Sequence, residues 1–192
     1  MNYNLQRNTS LEVQQKGYFD VLLGWNCKWE WLKNYSDDLD LCAFYRSKNG
    51  GTGGVYPNVY NQKNGTEGAL TEFPFMFLMG EDRITQKYNN EEIIRIANIH
   101  EMEVVYFVAI DYKATIGDEI GFNCLVALET IGTEPLVSIN YSRNNNEKGH
   151  VLILASLKAS DSGDLVITNI SQLLSLSDAF EIIPGFDSIV TP

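Results

Sequence analysis

The chain has 192 residues, 44% hydrophobic and 20% charged, which fits one globular domain with a proper core and excludes a disordered chain. Its net charge of −11, from 25 acidic against 14 basic residues, disfavours a nucleic-acid partner, whose phosphates are held by clustered Lys and Arg. No stretch approaches the ~18 consecutive apolar residues of a membrane helix, "MNYNLQRNTSLEVQQ" lacks the apolar stretch of a secretory signal, and the three cysteines are scattered, so a cytoplasmic protein with reduced thiols is expected.

In chain order, "YFDVLLGW" (18–25), "LDLCAFYR" (39–46), "FPFMFLMG" (73–80) and "EEIIRIANI" (91–99) are short runs rich in β-branched, aromatic and aliphatic residues. "EVVYFVAIDY" (103–112), "NCLVALETI" (123–131), "PLVSINYS" (135–142), "HVLILASLK" (150–158) and "DLVITNI" (164–170) continue the series. Gly- and Asn-rich punctuation separates them: "KNGGTGG" (48–54), "NQKNGTEG" (61–68), "YNN" (88–90) and "RNNNEKG" (143–149). One helix is expected over 171–183, capped by Ser171 and stopped at Pro184-Gly185, with Leu173, Leu174, Leu176 and Phe180 on one face. This pattern predicts an all-β protein, an antiparallel β-sandwich of about nine strands with a short C-terminal helix, forming a single domain over 1–192. Neither G-x-G-x-x-G nor G-x-x-x-x-G-K-[ST] occurs, and alternating βα units are absent, so a nucleotide-binding α/β fold is excluded.

Two acidic stretches carry the candidate chemistry. In "DDLDLCAF" (37–44) strand alternation puts Asp38 and Asp40 on one face and Leu39, Leu41 and Ala43 on the other. Carboxylates two residues apart on a strand, roughly 6.5–7 Å, can both lean toward one Ca²⁺. The second stretch, "GEDRITQKYNNEEI" (80–93), offers Glu81, Asp82, Thr85, Asn89, Asn90, Glu91 and Glu92 as hard oxygen donors, which select Ca²⁺ or Mg²⁺ over transition metals. Taken alone, each reads first as a solvated acidic surface.

Other candidates have plainer readings. Trp25, Trp29 and Trp31 in "GWNCKWEW" allow an aromatic platform for a glycan, against a core role for Trp25. His100 and His150 are in no metal or catalytic spacing, and Cys42 reads as a buried structural thiol. Glu91 and Glu92 are adjacent, so on a strand they face opposite ways and make a poor acid/base pair. Phe73, Phe75 and Phe77 are expected in the core.

The order "LLGWN" (22–26), "DLDLCAF" (38–44), "GEDRIT…NNEEIIRI" (80–96), "VVYFVAIDY" (104–112) and "FNCLVAL" (122–128) resembles the TerD-like tellurite-resistance, or stress-response, family. That family has an L-G-W-D segment, a D-L-D-A-S-A-F strand and a G-D-N-x-T-G-x-G-x-G-D-D-E loop. The resemblance covers about residues 18–186 and implies a non-enzymatic, calcium-binding β-sandwich. It implies a Ca²⁺ site at Asp38 and Asp40 on the acidic strand and at Asp82, Thr85, Asn90, Glu91 and Glu92 in the loop. It also implies other stress-response proteins as partners, some of them membrane-associated. The chain departs from the pattern at Asn26, Arg83 and Cys42, and Gln86 and Tyr88 stand where the loop has glycines. Arg83 brings a positive charge that can stand in for a cation. The alternative reading is a metal-free sandwich that binds a protein or glycan.

Overall fold

The computed structural model describes residues 2–27, 39–60, 66–80, 88, 90–111, 124–142 and 147–189. Twelve strands follow one another: β1 (Asn2–Asn4), β2 (Ser10–Cys27), β3 (Leu39–Ser47), β4 (Thr52–Val55), β5 (Gly68–Ala69), β6 (Met76–Gly80), β7 (Asn90–Ile96), β8 (Met102–Asp111), β9 (Cys124–Glu134), β10 (Leu136–Ser142), β11 (Val151–Ala159) and β12 (Leu165–Leu174). Helix α1 (Leu176–Ile182) and a 3₁₀ turn (Phe186–Ile189) close the described chain. Pairing is antiparallel throughout except where β1 lies parallel to β10.

The expectation of an all-β, mostly antiparallel protein with one short helix holds, but the strands do not make a clear nine-stranded sandwich. All twelve strands belong to one sheet that curls into a nearly closed barrel. The cause is β2, 18 residues long, at which the sheet forks. Its first residues pair with β12, its later ones with β7, and its other edge is taken by β9. A register shift between Gln15 and Asp20 makes the bend. Gly132 sits opposite it at φ 90°, where a Cβ would lie 2.9 Å from Tyr18 O. One limb then runs β12-β11-β8-β3-β4 and the other carries β7-β6-β5, with β9-β10-β1 on the far side of β2.

The main core lies between the limbs. Val21, Leu23 and Trp25 of β2, Leu39, Leu41 and Ala43 of β3, Ile94 and Ile96 of β7, and Val105, Phe107 and Ala109 of β8 all point into it. The alternate residues of the β3-β8-β11 limb do not reach water. Cys42, Phe44, Val108, Ile110, Val151 and Ile153 form a second apolar layer under Ala179, Ile183, Phe186 and Ile189 of the C-terminal segment. Burial on both faces is why these strands read as continuous apolar runs.

Three local expectations change. Ser171 does not cap the helix; β12 runs on through Leu173 and Leu174, and Ser175 is the N-cap, its Oγ accepting from Asp178 N–H at 3.2 Å. Phe73 is 41% exposed and lies before β6, so the three alternate phenylalanines do not form one buried stripe. The Gly-rich punctuation at 48–54 is a turn only in part, since its last residues, 52–54, belong to the edge strand β4. Trp25 is core as expected, and Trp29 and Trp31 lie outside the described residues.

Candidate metal site between two strand edges

Strand β3 borders β8 along its whole length, but β4 covers its other edge only from Ala43 onward. Among the described residues, no strand is paired with residues 39–42 on that edge. On the opposite limb, the described pairing of β6 with β7 ends at Gly80 and Ile93, next to Asn90–Glu92. The two edges meet there. Glu92, 8% exposed, reaches across, and its Oε2 accepts from the buried Leu41 N–H at 2.5 Å. The side chain occupies the position a neighbouring strand's carbonyl would take.

Asp40 projects from β3 on the Cys42 and Phe44 side, and its Oδ2 accepts from Tyr60 Oη at 2.5 Å. Both carboxylates act on the same neighbours. The Cys42 thiol is pushed well above its ordinary value, first by burial and then by Asp40 and Glu92. The Tyr60 phenol is pushed far up by burial, then by Cys42, by Asp40 and the hydrogen bond Tyr60 donates to it, and then by Glu92. Asp40 and Glu92 thus belong to one electrostatic cluster, although one comes from each limb.

Glu91 is 1% exposed and faces away from Glu92, as the adjacent spacing requires. Its Oε1 accepts from Tyr88 N–H at 3.4 Å. The Tyr88 ring lies over Gly24, so close that a Cβ there would stand 2.1 Å from a ring carbon, and Tyr88 Oη donates to Glu129 Oε1 at 2.9 Å. Tyr88 fills the space that the missing side chain of Gly24 leaves. Asn90 is half-buried, in register with Trp25 of β2.

Of the seven expected ligands, Asp40 on β3 and Glu92 on β7 both bear electrostatically on Cys42 and Tyr60, Glu91 lies on the other face of β7 and Asn90 stands at the strand head. Asp38, Asp82 and Thr85 lie outside the described residues, as do Arg83 and Gln86. Among the described residues no three His, Cys, Asp or Glu side chains gather as a metal cluster. Two neighbours escaped the sequence reading. Tyr60 sits in a stretch that looks like a turn. Asp111, 2% exposed, lies in register with Leu39 at the head of β3. The only signal for Asp111 is an acid that ends the apolar run of β8.

The architecture has known counterparts. A homologue of the telluride resistance protein TerD from Streptomyces coelicolor A3(2) superposes with a TM-score of 0.56, over 83% of this chain and 90% of that one, at 11% identity. The fold is TerD-like. SAV2460, a protein of unknown function, matches with a TM-score of 0.55 over 85% of this chain and 94% of that one, at 10% identity. No protein-family model and no curated protein sequence matches the chain. At such identity the likeness rests on backbone, and the TerD-like residues "LGWN" and "DLDLCAF" fall on β2 and on and just before β3, the strands that frame the seam. No helix is long and apolar enough to cross a membrane among the described residues.

Proposed function

We propose that this TerD-like chain is a non-enzymatic, cytoplasmic stress-response protein that takes a Ca²⁺ ion at the seam between β3 and β7. The observation that carries the reading is that Glu92 of β7 reaches the Leu41 N–H of β3, one residue from Asp40, and that both carboxylates bear on Cys42 and Tyr60. The donor chemistry fits: Asp40 and Glu92 offer carboxylate oxygens, the hard ligands Ca²⁺ prefers. Asp38, Asp82 and Thr85 would complete the set, on their match to the family's acidic strand and loop. A bound cation supplies neutralisation of the crowded carboxylates. The chain's own residues do the rest: Tyr60 orients Asp40, Leu41 N–H orients Glu92, and Tyr88 anchors the strand head over Gly24. Partners, on this reading, are other proteins of a stress-response system.

The test is the thermal midpoint of chelator-stripped protein titrated with Ca²⁺, with Mg²⁺ and an Asp38→Asn/Asp40→Asn variant as controls. Binding to the folded state alone raises stability by about 2.7 kcal/mol at a hundredfold excess over Kd. A midpoint that climbs in the wild type and not in the variant supports the site. A flat midpoint up to millimolar Ca²⁺ favours the second reading, a metal-free binding module. One feature favours that reading specifically: the Tyr88 ring packs on Gly24 at a loop position where the family has a glycine.

A further inference from the structure

The N-terminal strand leaves its partner early. β1 pairs with β10 over Asn2–Asn4 and Leu136–Ser138, and Leu5 N–H adds one more bond to Ser138 O at 2.9 Å. The chain then crosses toward β12, where Asn169 Nδ2 donates to Leu5 O at 2.7 Å and Asn8 N–H donates to Asn169 O at 2.8 Å. β10 runs on to Ser142 with β9 along its other edge. Two bonds fix the directions of its backbone groups. Val137 N–H points toward β9, donating to Thr130 Oγ1 at 2.9 Å, while Ser138 O points toward β1. Alternation then aims the N–H and C=O of Asn140 and Ser142 at the side β1 has vacated, and both residues are exposed.

That edge lines a cleft of about 280 Å³, whose other walls include Gln6 and Arg7 of the departing segment, Glu147, and Asn169 of β12. Arg7 Nη1 and Glu147 Oε1 stand 4.0 Å apart, one charge of each sign.

We propose that the free edge of β10 binds an extended peptide segment of a partner protein, added as a strand beside Asn140–Ser142 with polar side chains in the cleft. Two features identify the occupant as peptide backbone. The donors and acceptors alternate at main-chain spacing, and β1 of this chain already occupies the same edge a few residues earlier. The polar walls set the side chains: Ser, Thr, Asn or Gln can replace the hydrogen bonds that the cleft makes to water, whereas an apolar group cannot. A cleft at the small end of binding-site volumes holds two or three residues, so the main chain carries most of the affinity. This site is separate from the β3–β7 seam and stands or falls without it.

The test pans the intact protein against a random linear heptapeptide library and titrates the selected peptides into wild type and Asn140→Pro. Proline lacks the N–H and is tolerated on an edge strand. The selected peptides should bind wild type and bind Asn140→Pro at least about tenfold more weakly, at an unchanged thermal midpoint. Amide hydrogen exchange on the wild type keeps the test decisive if the variant unfolds: saturating peptide should slow exchange at Asn140. Failure to enrich any peptide over the blank support, equal binding to both proteins, or an Asn140 exchange rate unmoved by peptide would overturn the proposal.

Discussion

Replacing Glu92 by Ala should be among the more damaging single changes outside the apolar core, and replacing it by Gln should not. Leu41 is fully buried, and β4 does not reach its edge, so its N–H depends on the Glu92 carboxylate 2.5 Å away. Alanine leaves that N–H buried without its acceptor, at a cost of about 1–3 kcal/mol. It also forfeits a charge-assisted bond, stronger than a neutral one. Together about 2–4 kcal/mol is expected. At roughly 2–4 °C per kcal/mol for a chain of this size, the midpoint falls by about 5–15 °C. Glutamine keeps an oxygen for Leu41 and removes one of the charges crowding Asp40, so its cost should stay near ~1 kcal/mol. Urea unfolding in EDTA measures both without any contribution from a cation. Exchange at the Leu41 amide should quicken in the Ala variant and stay slow in the Gln variant. The reasoning fails if Glu92→Ala costs less than about 0.5 kcal/mol, or if Gln is as harmful as Ala.

Three further outcomes follow from named contacts. Gly24→Ala should cost about 1–3 kcal/mol by displacing the Tyr88 ring. The cost should shrink in a Tyr88→Ala background, and a double-mutant cycle with no coupling would contradict the contact. Phe186→Ala should cost about 3–5 kcal/mol, because Phe186 is fully buried with Phe44 and Phe180 rings each 5.1 Å away; chemical denaturation reads it directly. Stability in EDTA should decline as pH rises above 9. Burial, then Asp40 and Glu92, hold the folded Cys42 thiol well above its ordinary value, so its contribution is complete below the unfolded pKa and is lost as pH rises toward the folded one. The slope can reach ~1.4 kcal/mol per pH unit. Cys42→Ala should flatten it between pH 9 and 10, and an unchanged slope would assign it elsewhere.

The strands that bury side chains on at least one whole face were legible in the sequence. β3, β8 and β11 announce themselves as apolar runs because the limb they share is covered on both sides. The strands that were missed bury little. β4 is a four-residue edge with two glycines, β5 has two residues, and β1 is exposed throughout. The start of the helix was misplaced because Leu173 and Leu174 suit either a strand end or a helical face, and pairing with β11 decides for the strand. The fork at β2 had no sequence signal, since one strand serving two limbs looks like one long strand. In the candidate site the two carboxylates were visible as acids beside apolar sequence. What holds them was not: Tyr60 and the Leu41 N–H come from chain topology, which residue types do not encode.

The most direct test of the central claim is calorimetric titration of Ca²⁺ into chelator-stripped protein, repeated with Asp40→Asn and Glu92→Gln. The account predicts saturable binding of about one ion by the wild type, weakened at least about tenfold by either substitution, while both variants stay folded. Absence of binding up to millimolar Ca²⁺, or binding that neither substitution weakens, would contradict a cation site at the β3–β7 seam.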